Sequence, residues 1–341
     1  MLDQPFLISI NREKMRLLKY LLLAMLINDC SIIRAELPFK KVVIWGHKLH
    51  SHTHSYIHAA FYKAFDYLGY DTYWLDDADR IDHIDFSLSL FITEGQVDKN
   101  IPLRDDCRYI LHNCSTEKYQ SLMDKGNCII LQVYTHDCLA RNVQKLDECI
   151  YTDENNLCIY MPWATDLLPH EIEAIKMQMA KRLLEKEGVV YFIGTIWGGT
   201  YGNCNHIDAF KHACNENGIA FIHKVNASKE EGISYIQQSL MAPAIQGDWQ
   251  IEKGYIPCRI FKNISYGAVG ATNSKAVWEL FNKKIIYNPD SYQLFYDLVE
   301  RLETITLEEQ FEMMDLVKEK HTYLNRIQHL LQFLNLIKPL F

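Results

Sequence analysis

The sequence predicts an α/β protein with two Rossmann-like domains that face each other across a cleft. Three observations predict this fold class. Apolar, strand-like runs alternate with amphipathic helical stretches, as they do in parallel sheets flanked by helices. A strand that is closed by glycine and followed by a loop and a helix occurs twice, at residues 41–46 and 189–194. The length of 341 residues suits two domains.

The first half of the chain opens with the apolar run KVVIW at 41–45, which Gly46 closes. Such a run is typical of a buried parallel strand that leads into a loop. A helix is predicted over 56–68, because its apolar residues fall on one face and Gly69 ends it. Further strands are predicted at 71–75, 86–93, 108–112, 128–134 and 158–161.

The pattern restarts after a long helical stretch at 169–186, which Pro169 and Gly188 bound. The run VVYFIG at 189–194 is the second strand that glycine closes. Later strands are predicted at 219–224, 242–246, 268–272 and 284–287, and helices at 206–217, 228–238, 259–266, 274–281, 292–302 and 307–336. The predicted divisions are a leader-like or anchor-like segment at 1–38, Rossmann-like domains at 39–165 and 166–305, and a C-terminal helical tail at 306–341.

The charge balance excludes one broad class of partner. The formal net charge is −8, so the chain lacks the basic footprint of a nucleic-acid-binding protein, and a few local cations must hold any anionic ligand. Aromatic residues make up 12% of the chain, which suits sites that stack rings or sugars. The 10 cysteines form no CxxC pair, and we interpret them as mostly buried free thiols of a reducing compartment.

The N-terminal segment has two interpretations. Arg16 and Lys19 precede a short apolar run, LLLAMLI at 21–27, which resembles the core of a signal peptide. The alternative is an amphipathic helix that packs on the protein or lies on a membrane surface, because the run is too short to span a bilayer. We expect a cytoplasmic protein, with or without peripheral membrane contact through this segment, or a secreted or periplasmic one if residues 16–35 are a cleaved signal.

The most informative stretch is GYIPCRIFKNISYGAVGATN at 254–273. Arg259 and Lys262 are three residues apart near the start of a predicted helix, so both lie on one face. Helix N-termini attract anions, and a planar guanidinium suits two phosphate oxygens, so the pair predicts a diphosphate site. Asn263 is placed to bond a ribose or sugar hydroxyl. The alternative is a solvated helix face with two ordinary cations.

Further ligand contacts are predicted where strands end, because sheets of this kind bind ligands at the carboxyl ends of their strands. The glycine-rich loop GTIWGGTYG at 194–202 lets backbone amides approach a phosphate, although it matches neither GxGxxG nor a Walker loop. An ordinary flexible connection is the alternative. The predicted contacts besides Arg259, Lys262 and Asn263 are Gly194, Thr195, Trp197, Gly198, Gln246, Tyr255, Thr272, Asn273 and Ser274.

The stretch at 254–273 resembles a segment of GT-B glycosyltransferases in which a Tyr-x-x-x-Lys/Arg-x-Phe-x-Asn/Glu helix runs into Gly-x-x-x-x-Thr. It is similar to the C-terminal domain of CgeB-like glycosyltransferases and, more loosely, to the nucleotide-binding segment of α1,3-fucosyltransferases. The ending His321-Thr322-Tyr323-x-x-Arg326 is similar to the HTYxxR end of CgeB-like chains. The resemblance covers residues 189–336; over 41–165 it extends only to the Rossmann-like pattern and the domain order.

The resemblance implies an N-terminal acceptor domain, a C-terminal domain that binds a nucleotide-sugar donor, and no metal requirement. It implies that Arg259 contacts the donor diphosphate. Many GT-B enzymes place a glutamate of this helix on the donor ribose, where this chain has Lys262 or Asn263, so the identity of the donor stays open. No cofactor is expected besides the nucleotide sugar, which is a co-substrate.

A histidine-rich loop follows the first strand. Its histidines, with the first helix included, are His47, His50, His52, His54 and His58. Alternating histidines suggest a metal, but no second ligand motif accompanies them, so no metal site is predicted. The loop faces the cleft in the GT-B fold, and His54 is therefore predicted as the catalytic base, with His52 as the alternative and a solvated loop as the other interpretation. Asp76, Asp77 and Glu94 are candidate bases or acceptor ligands, or else simple loop residues.

The predicted function is metal-independent transfer of a hexosyl or fucosyl group from a nucleotide sugar to a hydroxyl of a glycan or other acceptor. Arg259 is expected to act with Lys262 on the charge of the leaving diphosphate. Closure of the domains is expected to exclude water from the donor. Two alternatives stay open: a non-catalytic protein that binds sugar or nucleotide between two domains, and a sugar-nucleotide epimerase of the same architecture.

Overall fold

The computed structural model describes residues 39–48, 53–134, 144–145, 150–153, 156–181 and 187–336. The segment 1–38, predicted as a leader or anchor, lies outside the described residues, and so do His50 and His52 of the histidine loop. Within the described part, no helix is both long enough and apolar enough to cross a membrane. The cysteines of that part are all free thiols, as the sequence predicted.

The described elements form two lobes, which we call the first lobe and the second lobe in chain order. The first lobe contains strands β1 Lys41–Trp45, β2 Thr72–Leu75, β3 Ser89–Glu94, β4 Arg108–His112, β5 Cys128–Gln132, β6 Gln144–Lys145, β7 Ile150–Asp153 and β8 Asn156–Tyr160, with helices α1 Thr53–Tyr67 and α2 Thr116–Asp124. The second lobe contains strands β9 Val189–Ile193, β10 Ala220–Lys224, β11 Ala271–Thr272 and β12 Ile286–Tyr287. Its helices are α3 Pro169–Ala180, α4 Cys204–Glu216, α5 Lys229–Gln238, α6 Asp248–Glu252, α7 Cys258–Ser265, α8 Lys275–Leu280, α9 Ser291–Thr304 and α10 Leu307–Lys320. A last helix, α11, spans Tyr323–Leu336.

The first lobe is built on one sheet with the strand order β2-β1-β3-β4-β5-β8-β7-β6. The strands from β2 to β8 in this order pair in parallel, and β7 and β6 add to them antiparallel. β3 and β4 are buried along their whole length, which is why their sequences contain continuous apolar runs. The strand order reverses between β1 and β3, and in such sheets the ligand crevice lies outside the carboxyl ends at that point.

The second lobe repeats this arrangement with shorter strands. β9 pairs in parallel with β10, and β11 with β12. The segment 240–246 lies between the two pairs, because Leu240 N–H donates to Val189 O at 2.8 Å and Ala244 N–H donates to Ala271 O at 2.8 Å. The order β10, β9, segment 240–246, β11, β12 therefore reverses between β9 and the segment.

The structure departs from the predicted elements at a few places. The predicted strand at 242–246 forms only an isolated bridge between Ala244 and Thr272, since Pro243 has no N–H to donate to a ladder. Described helix α3 ends at Ala180, and 182–186 lie outside the described residues. The predicted helical tail at 307–336 is divided into α10 and α11. Elements α2, β6, β7 and α6 were not predicted, because they are short or lack a clear apolar period.

Each sheet buries its apolar side chains under helices. Phe91 and Tyr109 stack with ring centroids 5.0 Å apart in the core of the first lobe. In the second lobe, one cluster joins α7 and α10, and another joins β9 to α4 and α9. These layers of helices on parallel strands confirm the predicted α/β class.

Helix α11 and the residues just before it tie the two lobes together. Thr165 N–H donates to His321 O at 3.0 Å, and α11 packs on α1, with the Phe61 and Tyr323 rings 4.7 Å apart. The buried guanidinium of Arg326 donates to the carbonyl oxygens of Pro162, Trp163 and Lys320 at 2.7 to 3.0 Å. The HTYxxR residues therefore hold the joint between the lobes.

We predict that His321 makes the protein sensitive to acid. Burial and the neighbouring charge of Arg326 lower the pKa of His321 to about 3. In the unfolded chain a histidine takes up its proton near pH 6.5, so the unfolded state binds more protons between these values and stability falls as the pH falls. Between pH 6.5 and 5.0 this residue should remove about 2 kcal/mol from the free energy of unfolding.

Urea unfolding at the two pH values measures this effect. The variant His321→Gln should lose that part of the pH dependence, whereas His170→Gln, which changes an exposed histidine of α3, should keep the wild-type dependence. An unchanged pH dependence in His321→Gln would show that the residue does not titrate on unfolding.

Candidate functional site

Arg259 lies where the strand order of the second lobe reverses. It follows the first residue of α7, and its guanidinium donates to Ile193 O at 3.2 Å and to Ile245 O at 3.4 Å. These carbonyls are at the carboxyl ends of β9 and of segment 240–246, where such sheets bind ligands. The guanidinium also lies over the Phe192 ring, 4.3 Å from its centroid. Burial lowers the pKa of Arg259, but an arginine stays protonated in any folded protein.

Two glycine positions make this arrangement possible. Gly194 has a φ of +128°, and a Cβ there would collide with the guanidinium of Arg259. A Cβ on Gly247 would collide with the carbonyl oxygen of Gly202. The glycine-rich loop 194–202 is therefore held against the end of segment 240–246, and the arginine passes where only a glycine leaves room.

A cavity of about 190 Å³ lies beside Arg259 and between the lobes. Of the residues predicted to bind the donor, the lining includes Gly194, Thr195, Trp197, Gln246, Tyr255, Arg259, Lys262 and Asn263. The first residues of α7 border the cavity, and so does Asn203 at the N-cap of α4. Two helix N-termini and fixed cations around one cavity form a site suited to an anion.

The side chain of Gln246, in the cavity lining, has a hydrogen-bond acceptor without a partner among the described residues. Its side chain is buried, and its Nε2 donates to Tyr255 O at 2.9 Å. Within the described part of the chain, its buried Oε1 has no hydrogen-bond partner. A buried acceptor of this kind is costly unless a ligand satisfies it. The atom is therefore suited to accept from a ligand hydroxyl or N–H group.

Thr272, Asn273 and Ser274 lie behind the cavity rather than in its lining, and all three are buried. Asn273 Oδ1 accepts from Gln246 N–H at 2.9 Å, and its Nδ2 donates to Gln246 O at 2.9 Å. Thr272 Oγ1 donates to Ala244 O at 3.1 Å. These residues fix segment 240–246 from behind; direct donor contact by them stays a prediction.

The other predicted contacts differ in their surroundings. Asn263 Nδ2 donates to Ala242 O at 2.7 Å, so this amide already supports segment 240–246. Lys262 Nζ lies 4.0 Å from the ring centroid of Tyr56 in the first lobe. Gly198 belongs to the exposed part of the glycine-rich loop, outside the lining of the cavity.

Several lining residues were not predicted from the sequence. They are Thr53, Tyr56, Asn203, Lys229, Gln250, Pro257 and Cys258, among others. Tyr56 reaches the second lobe, where its hydroxyl donates to Ala227 O at 2.5 Å. The N-cap preference of asparagine could have indicated Asn203, whereas Tyr56 and Lys229 carry no local signal, because the packing of the lobes alone brings them together.

A cluster of titratable side chains occupies the matching position in the first lobe, outside the carboxyl ends of β1 and β3. Glu94, the last residue of β3, is fully buried, and its Oε2 lies 2.6 Å from His47 Nε2. Its Oε1 lies 3.9 Å from Nδ1 of His54, whose side chain is 14% exposed. The rings of His58 and His112 lie 5.6 Å from His47 and 5.1 Å from His54, respectively. The structure thus brings the predicted base together with one of the predicted carboxylates.

The surroundings determine the protonation state of three members of the cluster. Burial alone would raise the pKa of Glu94, but the hydrogen bond with His47 and the charge of His54 outweigh it, so the pKa is lowered and the group is a carboxylate. Burial lowers the pKa of His58 and of His112 to about 4, so both are neutral near pH 7. Neutral His58 donates from Nδ1 to Gly46 O at 2.9 Å.

Trp163 connects this cluster with the cavity. Its ring lies 6.3 Å from the His54 ring and 4.9 Å from the His112 ring. His54 also lies beside Thr53, another lining residue. The histidine cluster and the cavity therefore share a wall.

The other two candidate acids have structural partners. Asp77 accepts from Trp45 Nε1 and from the backbone N–H groups of Lys99 and Asn100, each at 3.0 Å. Asp76 Oδ2 accepts from Lys48 N–H at 3.2 Å. Of the three candidate acids, Glu94 alone belongs to the histidine cluster.

No family model matches the chain, and no curated protein matches it. A solved structure of an alpha-glucosyltransferase in complex with UDP and a 13-mer DNA with a central A:G mismatch has a TM-score of 0.53 and 11% identity, and covers 86% of this chain and 99% of that one. A second, with UDP and a 13-mer DNA containing a HMU base, has a TM-score of 0.50 and 12% identity, and covers 87% and 100%. An E. coli structure described as trehalose-6-phosphate bound with UDP-2-fluoro glucose has a TM-score of 0.49 and 9% identity, with 88% and 100% covered.

The likeness to the two alpha-glucosyltransferase structures shows the fold of this chain. It is the GT-B fold, with two Rossmann-like domains that face each other across a cleft. The fold class predicted from the sequence is confirmed.

We predict that Gly194→Ala destabilises the protein by roughly 1–3 kcal/mol, because alanine is strained at this φ and its Cβ would displace the Arg259 side chain. Urea unfolding measures the loss. Gly188→Ala is the matched control, since a Cβ there meets nothing within 4 Å, and its stability should be unchanged or slightly raised.

A double-mutant cycle identifies the cause of that loss. In an Arg259→Ala background, Gly194→Ala should cost less than in the wild type, because part of its penalty is the collision with the guanidinium. Equal costs in the two backgrounds would mean that backbone strain alone accounts for the loss.

Proposed function

We propose that this chain is a glycosyltransferase that transfers a sugar from a nucleoside-diphosphate donor to a hydroxyl acceptor. The observation that carries the proposal is the position of Arg259 at the strand ends of the second lobe, beside a cavity that two helix N-termini border. Negative charge develops on the leaving diphosphate during transfer. A fixed guanidinium and helix N-termini at that place stabilise this charge without having to reorganise.

The donor occupies the cavity in this proposal, with its diphosphate against Arg259 and Lys262. Gln246 Oε1 accepts from a donor hydroxyl or from an N–H group of the base, which satisfies its unused valence. UDP is the first nucleotide to test, because the alpha-glucosyltransferases of the same fold bind UDP. The donor lobe corresponds to the division 166–305 and the acceptor lobe to 39–165.

His54 is the base that takes the proton of the acceptor hydroxyl. It is partly exposed, it lies beside the cavity wall, and the Glu94 carboxylate near it stabilises the positive imidazolium that forms. Glu94 acts through the histidines as a positioning residue, because it is fully buried. This pairing favours an enzyme over a protein that only binds sugar.

The finer features of the reaction follow from the motifs and the charge. The transfer needs no metal, since the side-chain charges of Arg259 and Lys262 neutralise the diphosphate. The acceptor is a glycan or another small hydroxyl compound rather than a nucleic acid, which the net charge of −8 would repel. The closer likeness to CgeB-like enzymes, and the choice between a hexosyl and a fucosyl donor, remain predictions from the motif at 254–273 and the ending at 321–326.

We predict that Arg259→Ala weakens UDP binding and lowers transfer about 100-fold or more, as expected for loss of a fixed charge on the leaving group. Lys262→Ala should have a smaller effect of the same kind. The thermal shift caused by UDP and the rate of release of UDP from UDP-sugars measure the two effects. Because the guanidinium also bonds two carbonyls, the variant should be less stable even without ligand.

Lys275→Ala is the control for Arg259→Ala, since it removes an exposed cation of α8 in the same lobe. It should leave UDP binding and transfer unchanged. Wild-type affinity for UDP in a folded Arg259→Ala variant would refute the diphosphate site.

We predict that His54→Gln separates binding from transfer. The variant should bind UDP as the wild type does, because His54 does not line the cavity, and should lower kcat for transfer roughly 100-fold or more, because it removes the base. His212→Gln, at an exposed histidine of α4 outside the cavity lining, is the control. A kcat near that of the wild type for His54→Gln would exclude this residue as the base.

A further inference from the structure

We propose that His47, His54 and Glu94 form a binding site for a divalent transition-metal ion of the zinc type. One ligand atom from each residue lies within 4.8 Å of the others, at the carboxyl ends of β1 and β3. Two imidazoles and one carboxylate are a ligand set that zinc accepts, with one position left open. The alternating histidines suggested a metal, but the sequence did not indicate Glu94 as a ligand, because it lies 47 residues after His47 and carries no ligand motif.

The burial of Glu94 is the second observation that points to a ligand. Its side chain is fully buried, and its Oε1 has no hydrogen-bond partner within the described part of the chain. The other oxygen, Oε2, lies close to His47 Nε2 and accepts from Gln96 N–H at 3.2 Å. A buried carboxylate oxygen that faces two imidazoles is suited to a cation, which would meet its unsatisfied valence.

The spacing of the ligand atoms can be compared with that around a tetrahedral zinc ion. Ligand atoms about 2.0–2.2 Å from a tetrahedral zinc lie roughly 3.3 Å from each other. The two contacts of the site are 2.6 Å for His47 Nε2 to Glu94 Oε2 and 3.9 Å for His54 Nδ1 to Glu94 Oε1, which lie on either side of this value. The three ligand atoms lie within 4.8 Å of one another, so the side chains would have to move closer together around an ion.

The location gives the ion a regulatory consequence, which rests on the proposed function. An ion bound to His54 Nδ1 would occupy the residue that we propose as the base, close to Trp163 and next to Thr53 of the cavity lining. Zinc should therefore inhibit transfer without displacing the donor. Removing the ion with a chelator should restore the activity.

Calorimetric titration of the full-length chain with zinc, after removal of metals by EDTA, tests the site directly. The wild type should bind one equivalent that Glu94→Gln and His47→Gln bind roughly 100-fold more weakly or lose. The same variants should lose the visible absorption that cobalt acquires in a tetrahedral site with imidazole ligands. The wild type and the variants have the same free cysteines, so zinc that binds to cysteines contributes equally to each and does not affect the difference between them.

The matched control is Glu216→Gln, which changes a surface pair on α4 where His212 Nε2 lies 3.5 Å from Glu216 Oε1. This variant should bind zinc as the wild type does. If Glu94→Gln fails to fold, His54→Gln, at a partly exposed position, provides the same test. Equal zinc binding by the wild type and all three cluster variants would overturn the proposal.

The two proposals fail separately. A wild type that transfers sugar but binds no zinc at the cluster overturns the metal site and leaves the transferase intact. A wild type that binds zinc through Glu94, but neither binds UDP nor transfers sugar, supports the metal site and refutes the transferase. Zinc inhibition that persists in Glu94→Gln would place the inhibitory ion elsewhere and overturn the regulatory consequence.

Discussion

The candidate site depends on the hydrogen bonds that one guanidinium makes to the carbonyl ends of strand β9 and of the neighbouring segment 240–246. Arg259 bonds to Ile193 and Ile245 and stacks on Phe192, so its charge is fixed relative to the sheet rather than to a flexible loop. Gly194 leaves the room that this requires. Because the cation is part of the sheet edge, the contacts that hold it at the cavity are also contacts within the second lobe.

The two lobes place different chemistry at equivalent positions of the same topology. In the second lobe the reversal of strand order holds a fixed cation beside helix N-termini, a site for negative charge. In the first lobe the reversal between β1 and β3 holds Glu94 and the histidines, a site that can hold or move a proton. Trp163 packs on His54 and His112, and Thr53 of the cavity lining directly precedes His54, so the two sites are neighbours.

The sequence predicted the features that depend on short stretches of the chain, such as strand bounds and helix starts. The strand bounds 41–45 and 108–112 agree with the structure, because continuous apolar runs have few alternatives to burial. Arg259 and Gly194, which line the cavity, could be picked out because strand ends and helix starts have recognisable signals; their contact with a donor stays a prediction. The pairing of Glu94 with the histidines, the reach of Tyr56 and the support role of Asn263 were not predictable, because each depends on contacts between distant segments. Pro243 shows the opposite case, in which a single residue interrupts an otherwise correct strand prediction.

The packing of α11 on α1 has a consequence for how the chain is made. Helix α1 is synthesised long before α11, the helix that covers it. The face of α1 around Phe61 therefore stays exposed on the ribosome until the residues of α11 have been made. Until then the first lobe exposes part of its apolar surface. A premature stop before Tyr323 would leave this surface exposed and prone to aggregation.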